Sequence, residues 1–143
     1  MRYLGLDLGT KTLGIAITDK TNTLSSPLKT LHFSSEDYES VINDIKEIIS
    51  NYQISEIALG NPINMDGSRG FASKRSLSFK DLLNKEFPSI NVTLVDERLT
   101  SVTAHNILSE NGKKAINHKK SVDAIAATII LDTFLARKGN NNG

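Results

Sequence analysis

An α/β fold, with one mixed five-stranded sheet and helices on both faces, follows from three features of this 143-residue sequence. Residues 3–17 alternate apolar with polar or small side chains around a tight polar turn, the pattern of a β-hairpin. A third strand candidate follows with no helix between, which suits an antiparallel meander. Strand and helix patterns then alternate, which suits parallel strands joined by right-handed crossovers. The order reads β-β-β-α-β-α-β-α-α.

In the opening strand Leu4, Leu6 and Leu8 alternate with Tyr3, Gly5 and Asp7, so the two faces meet different surroundings. Gly9, Thr10, Lys11 and Thr12 lead into a second strand, Leu13-Gly-Ile-Ala-Ile17. After a polar turn, Leu28, Leu31 and Phe33 mark a third strand from Pro27 to Phe33. The hydroxyls and acids of Ser34-Ser-Glu-Asp37 read as a helix start. Tyr38, Val41, Ile42, Ile45, Ile48 and Ile49 then recur at helical spacing to about Asn51. Ile54 to Leu59 is a short buried strand closed by Gly60-Asn-Pro62, and 61–69 is a loop by its turn residues. A helix from about Phe71 to Glu86 turns Phe79, Leu82 and Leu83 inward and its lysines outward, until Phe87-Pro88 ends it. Ile90, Val92 and Leu94 alternate with Asn91, Thr93 and Val95 in a fifth strand, which leads into Asp96-Glu-Arg-Leu-Thr100. Thr100 or Ser101 caps a helix carrying Ala104, Ile107 and Leu108, and Gly112 closes it. A basic loop over 112–120 precedes Ser121, the cap of a last helix to about Ala136. Residues 1–137 therefore form one domain, and 138–143 a frayed tail.

Apolar residues at 38% and charged ones at 23% suffice for a soluble domain with a real core. A formal net charge of +1 argues neither for nor against a nucleic-acid partner, so only local clustering can. The absence of cysteine excludes disulfides, thiolate metal sites and a cysteine nucleophile. No signal-peptide pattern opens the chain. The longest apolar stretch, Val122 to Ala136, is broken by Asp123 and Asp132 and is too short to span a bilayer. A cytoplasmic protein with no membrane attachment is expected.

In such sheets sites form outside the carboxyl ends of the strands. Three acids are candidates there: Asp7 in the first strand, Glu97 just past the fifth, and Asp123 near the start of the last helix. Each has an ordinary explanation, as a solvated loop residue or, for Asp123, as an acid favoured by the helix dipole. Asp7 fits it least, because aspartate is depleted in strands and costs free energy on an apolar one. If the three converge, they suit a hard divalent cation, Mg2+ or Mn2+. Two such ions roughly 4 Å apart can activate a water and stabilise the leaving oxygen of a phosphodiester. His32, His105 and His118 lack zinc-ligand spacing. Ala124, Ala126 and Ala127 would let the last helix lie close to the sheet. Lys113, Lys114, Lys119 and Lys120 precede Asp123, with Lys11 near Asp7 and Arg98 beside Glu97. They are either solvated charges or contacts to a phosphate backbone. No aromatic residue is interleaved with them, so stacking on single strands is not expected.

The stretches 7–16 (DLGTKTLGIA), 60–68 (GNPINMDGS), 96–100 (DERLT) and 122–127 (VDAIAA) come in the order and spacing of the YqgF (RuvX) family. These are small bacterial proteins also called pre-16S rRNA nucleases or Holliday-junction-resolvase-like proteins, and four motifs over nearly the whole chain make the resemblance specific. It implies a ribonuclease H-like fold and a metal-dependent nuclease that matures the 5′ end of the small-subunit ribosomal RNA precursor. It also implies that Asp7, Glu97 and Asp123 are the metal-binding acids. Two positions depart from the pattern: Thr12 stands where the family usually has arginine, and Asn61 where it has leucine. The first removes a cation near the scissile phosphate, which Lys11 would replace in part.

Rival readings are a Holliday-junction resolvase acting on branched DNA, which calls for a two-fold homodimer, and a non-catalytic nucleic-acid-binding protein on the same fold. Asp7-x-Gly9 followed by Gly14 also resembles the first phosphate loop of actin-like ATPases and sugar kinases, but no second hairpin accompanies it.

Overall fold

The computed structural model describes residues 1–34, 37–62, 70–96 and 119–142, with side chains in the last segment over 124–138. Its strands are β1 (Arg2–Leu8), β2 (Thr12–Thr18), β3 (Ser25–His32), β4 (Ile54–Asn61) and β5 (Asn91–Asp96). Its helices are α1 (Tyr38–Tyr52), α2 (Phe71–Glu86) and α3 (Lys119–Asn142). The five strands form one sheet in the order β3-β2-β1-β4-β5. β1–β2 and β2–β3 are antiparallel, while β1–β4 and β4–β5 are parallel, so the expected mixed sheet is the one observed.

The two faces of β1 explain the layering. Leu4, Leu6 and Leu8 join Leu13, Ile15 and Ile17 of β2 and Ile57 and Leu59 of β4 in the larger core. Val41, Ile42, Ile45 and Ile48 of α1 and Phe79 and Leu83 of α2 cover that face. Burying one such aliphatic or aromatic side chain contributes about 1.5–3 kcal/mol. The opposite face carries small residues, Ala16 and Ala58, under Ala127, Ile130, Leu131 and Phe134 of α3. Gly5 belongs to this face: a Cβ there would lie 2.7 Å from the Ala127 carbonyl oxygen and 2.8 Å from the Leu131 Cβ. Only a residue without a side chain admits the helix this closely, as the alanines near Asp123 predicted.

Several boundaries differ from the sequence reading. The helix start read at 34–37 falls at its last residue: α1 begins at Tyr38 with Asp37 as N-cap, which makes no side-chain cap hydrogen bond among the described residues. The last helix begins at Lys119 rather than after Ser121 and continues to Asn142 rather than ending near Ala136. Lys138, expected in a loose tail, lies within it and forms an ion pair of 2.8 Å with Glu56 of β4. Its ammonium also sits over the rings of Tyr3 and Phe134, at 5.3 and 5.6 Å. A charged residue with an apolar seat and a buried-edge partner is held in place, whatever its local sequence suggests. Lys119 and Lys120 likewise belong to the helix and not to a loop. The helix expected over 100–108 lies outside the described residues. No helix among those described is long and apolar enough to cross a membrane.

Candidate active site

The parallel strands β1, β4 and β5 all end at one edge of the sheet, and Asp7 stands one residue from the end of β1. Alternation puts it on the face of Tyr3 and Gly5, the α3 face, where it is half-buried. Its partner across β2 is Gly14. On the other side Leu6 pairs with Leu59, so the next rung brings Asp7 beside Gly60. A glycine on each neighbouring strand leaves the space around this carboxylate free of their side chains.

Helix α3 runs antiparallel to β1 over this face. Phe134 meets Tyr3 edge-on, with ring centroids 5.8 Å apart, and Ala127 and Leu131 meet Gly5. Two strand residues advance about 6.6 Å and one helical turn about 5.4 Å. The next step therefore carries β1 to Asp7 and the helix to the turn around Ala124, which is buried. Asp123 precedes Ala124 and is the fifth residue of α3, so it lies a turn deeper than the first-turn position expected. Its side chain lies outside the described residues. So do Glu97, Arg98, Lys113 and Lys114, and the side chains of Lys119 and Lys120. Described residues bring β5 only as far as Asp96, which pairs with Asn61.

The hairpin turn is closed by the Gly9 amide, which donates to the Thr12 carbonyl at 2.8 Å. Lys11 is exposed at its tip, beside His32, Phe33 and Ser34, and its carbonyl accepts from the Phe33 amide at 2.9 Å. Thr12, the position of the absent arginine, opens β2 and pairs with His32. Asn61 is buried, and its Oδ1 accepts a 2.8 Å hydrogen bond from Ser73 Oγ, so α2 is tied by its first turn to the carboxyl end of β4. This polar pair explains how the sheet accommodates an amide where leucine was expected.

Among the described residues no group of three histidine or acidic side chains is placed to hold a metal ion. Asp7 offers one donor for such an ion: an oxygen donor, half-buried, at the carboxyl edge, with glycines on both flanks. An oxygen donor of this kind suits magnesium or manganese rather than zinc.

One feature escaped the sequence reading. Phe71, the first residue of α2, is 86% exposed, with the Lys74 ammonium 6.0 Å from its ring centroid. Their spacing of three residues on a helix was the available signal.

The sheet order, its two covered faces and the acid at the end of the first strand define the RuvC-like ribonuclease H fold. RuvC of T. thermophilus in complex with a Holliday junction substrate superposes with a TM-score of 0.57 at 14% identity, over 97% of each chain. The Fowlpox virus resolvase, solved with its substrate Holliday junction DNA, gives 0.58 at 14% identity over 96% of this chain and 98% of its own. The family model described as "RuvX: Holliday junction resolvase" matches residues 1–137, and the chain belongs to this RuvX (YqgF) family. A relative from Onion yellows phytoplasma (strain OY-M), named "Putative pre-16S rRNA nuclease", is 44% identical over 132 residues, 92% of this chain and 87% of its own length. A protein of the same name from Geobacillus sp. (strain WCH70) is 38% identical over 138 residues, 96% of this chain and 99% of its own.

Proposed function

We infer that this protein is a metal-dependent nuclease that hydrolyses phosphodiester bonds in the 5′-end maturation of pre-16S ribosomal RNA. The observation that carries the reading is Asp7, a half-buried carboxylate on an apolar strand at the carboxyl edge of a RuvC-like sheet. Relatives 44% and 38% identical bear the pre-16S name. Asp7, Glu97 and Asp123 would hold a pair of Mg2+ or Mn2+ ions. When bound, such ions supply Lewis-acid charge to the phosphodiester and lower the pKa of water. The chain's own contribution is placement. β1 fixes the Asp7 carboxylate, Gly5 lets α3 approach, and Gly14 and Gly60 leave room for a phosphate. Lys11, Arg98, Lys113, Lys114, Lys119 and Lys120 would neutralise flanking phosphates, which gives affinity without sequence preference.

The description of the matching family model favours a second substrate, a four-way DNA junction. One experiment covers both: wild type and Asp7→Asn are incubated with labelled rRNA precursor and with a four-way junction, in magnesium, manganese or EDTA. The expected result is cleavage of the precursor by wild type that falls at least about 100-fold in Asp7→Asn, the scale of losing an electrostatic contact to the transition state. Undiminished cleavage in Asp7→Asn or in EDTA would sink the mechanism. Tight binding with no cleavage by wild type would leave a non-catalytic nucleic-acid-binding protein. Preferential, symmetric cutting of the junction by a dimer would move the assignment to resolution.

A further inference from the structure

We propose that Phe71 is a stacking platform for an unpaired base, with Lys74 and Arg75 holding the neighbouring phosphates, so that this protein grips single-stranded nucleic acid beside its acidic site. The proposal rests on the nuclease reading for its setting and on α2 for its content. A phenylalanine that is 86% exposed leaves its ring in water, although a fully buried ring would contribute to the core. Its surroundings are cationic. Lys74 lies over the ring at 6.0 Å. Tyr38, Lys74, Arg75 and Ser78 line an open depression with Phe71. The first ten residues of α2, FASKRSLSFK, contain three cations and no acid.

A purely apolar partner would not suit this depression, because its walls are charged. A polyanion with flat apolar faces matches both features. Bases stack on an aromatic ring whatever their identity, and cations at its rim meet the phosphates. A duplex keeps its bases stacked on one another and offers Phe71 none. The α2 N-terminus adds to the match: its N-cap is Gly70, which has no side chain to cap the first turn, and a helix N-terminus favours anions.

Position ties the platform to the site. Ser73, two residues from Phe71, is hydrogen-bonded to Asn61 at the end of β4, the strand beside β1. Tyr38 also leads toward the hairpin turn, because its ring lies 5.9 Å from Phe33, which borders the exposed Lys11. A strand crossing from Phe71 past Tyr38 to Lys11 would run over the α1–α2 side of the sheet and reach, at the hairpin turn, the edge at whose other side Asp7 stands.

The test measures equilibrium binding of a short labelled single-stranded RNA, its DNA counterpart and the matching duplex, in EDTA so that nothing is cut. Phe71→Ala should lose about 5- to 150-fold in affinity for the single strands and change duplex binding by less than about two-fold. Phe71→Trp should restore it. The double variant Lys74→Gln, Arg75→Gln should lower the slope of log affinity against log salt by about 1.4. Single-strand affinity unchanged in Phe71→Ala overturns the proposal, and so does an equal loss on duplex. Sedimentation showing a wild-type dimer that Phe71→Ala splits would overturn it too, assigning the face to a second copy of this chain. The two readings separate cleanly. If Phe71→Ala loses single-strand affinity while no variant cleaves, the platform stands and the nuclease reading falls. If wild type cleaves and the Phe71 variants bind as it does, the reverse holds.

Discussion

Gly5 shows how much a single residue can decide. Its missing side chain is what brings α3 against β1, since a Cβ there would meet a backbone carbonyl at 2.7 Å, an atom that cannot swing aside. Gly5→Val should therefore cost about 1–3 kcal/mol, the usual range for overpacking. At the chain's size that is a fall of roughly 2–12 °C in Tm by calorimetry. It should also lower any metal-dependent cleavage more than its effect on stability accounts for, because the helix carrying Asp123 is displaced. Asn61 and Ser73 make a second case. Asn61→Leu leaves the buried Ser73 hydroxyl without its partner and should destabilise by about 1–3 kcal/mol. Adding Ser73→Ala should recover most of that loss, since removing both partners of a buried hydrogen bond is close to neutral. Denaturant titration of the two single variants and the double one measures the coupling.

At the level of elements, α2 and α3 answer to different constraints. α2 has an amphipathic pattern with an uneven seat: Ser76 is buried within it, and its hydroxyl has no hydrogen-bond partner among the described residues. Ser76→Ala removes a desolvated polar group and favours the helix, and should raise Tm by a few degrees, about 0.5–2 kcal/mol. α3 is fixed at its far end by the Lys138–Glu56 pair. The Glu56 carboxylate beside Lys138 holds its ammonium above the ordinary lysine value. A raised folded pKa means that this stabilisation is complete below the ordinary value and is lost as pH rises through the folded one. The ammonium is a third exposed, so solvent screens the pair and the effect stays within about 1 kcal/mol. The stability difference between wild type and Lys138→Met should accordingly be present at neutral pH and shrink at strongly alkaline pH.

At the scale of the whole molecule, one sheet edge gathers the features that matter. The parallel strands end there, and Asp7 and the Asn61–Ser73 tie lie at it. The aromatic–cationic depression begins α2 just beyond. A nuclease that grips single strands at this rim should cleave a precursor with an unpaired 5′ flank faster than one in which a complementary oligonucleotide covers that flank. Single-turnover rates on the two substrates measure it, and a drop of about 5-fold or more with the covered flank is expected if one stacked base is lost.

The sequence by itself determined the element order and the sheet class, because period-two and helical spacing record which side chains must leave water. It also determined the rank of Asp7 among the acids, since a carboxylate inside an apolar strand is costly wherever the strand lies. Resemblance over four motifs supplied the family. Only the tertiary structure decided that α3 begins at Lys119 and holds Lys138, because the partners of Lys138 are Tyr3 and Glu56, more than eighty residues away in the chain. It alone decided that Phe71 faces solvent. In a helix with Phe79 and Leu83 inward, local pattern leaves a terminal phenylalanine free to go either way, and the packing of α2 against β4 is what turns it out.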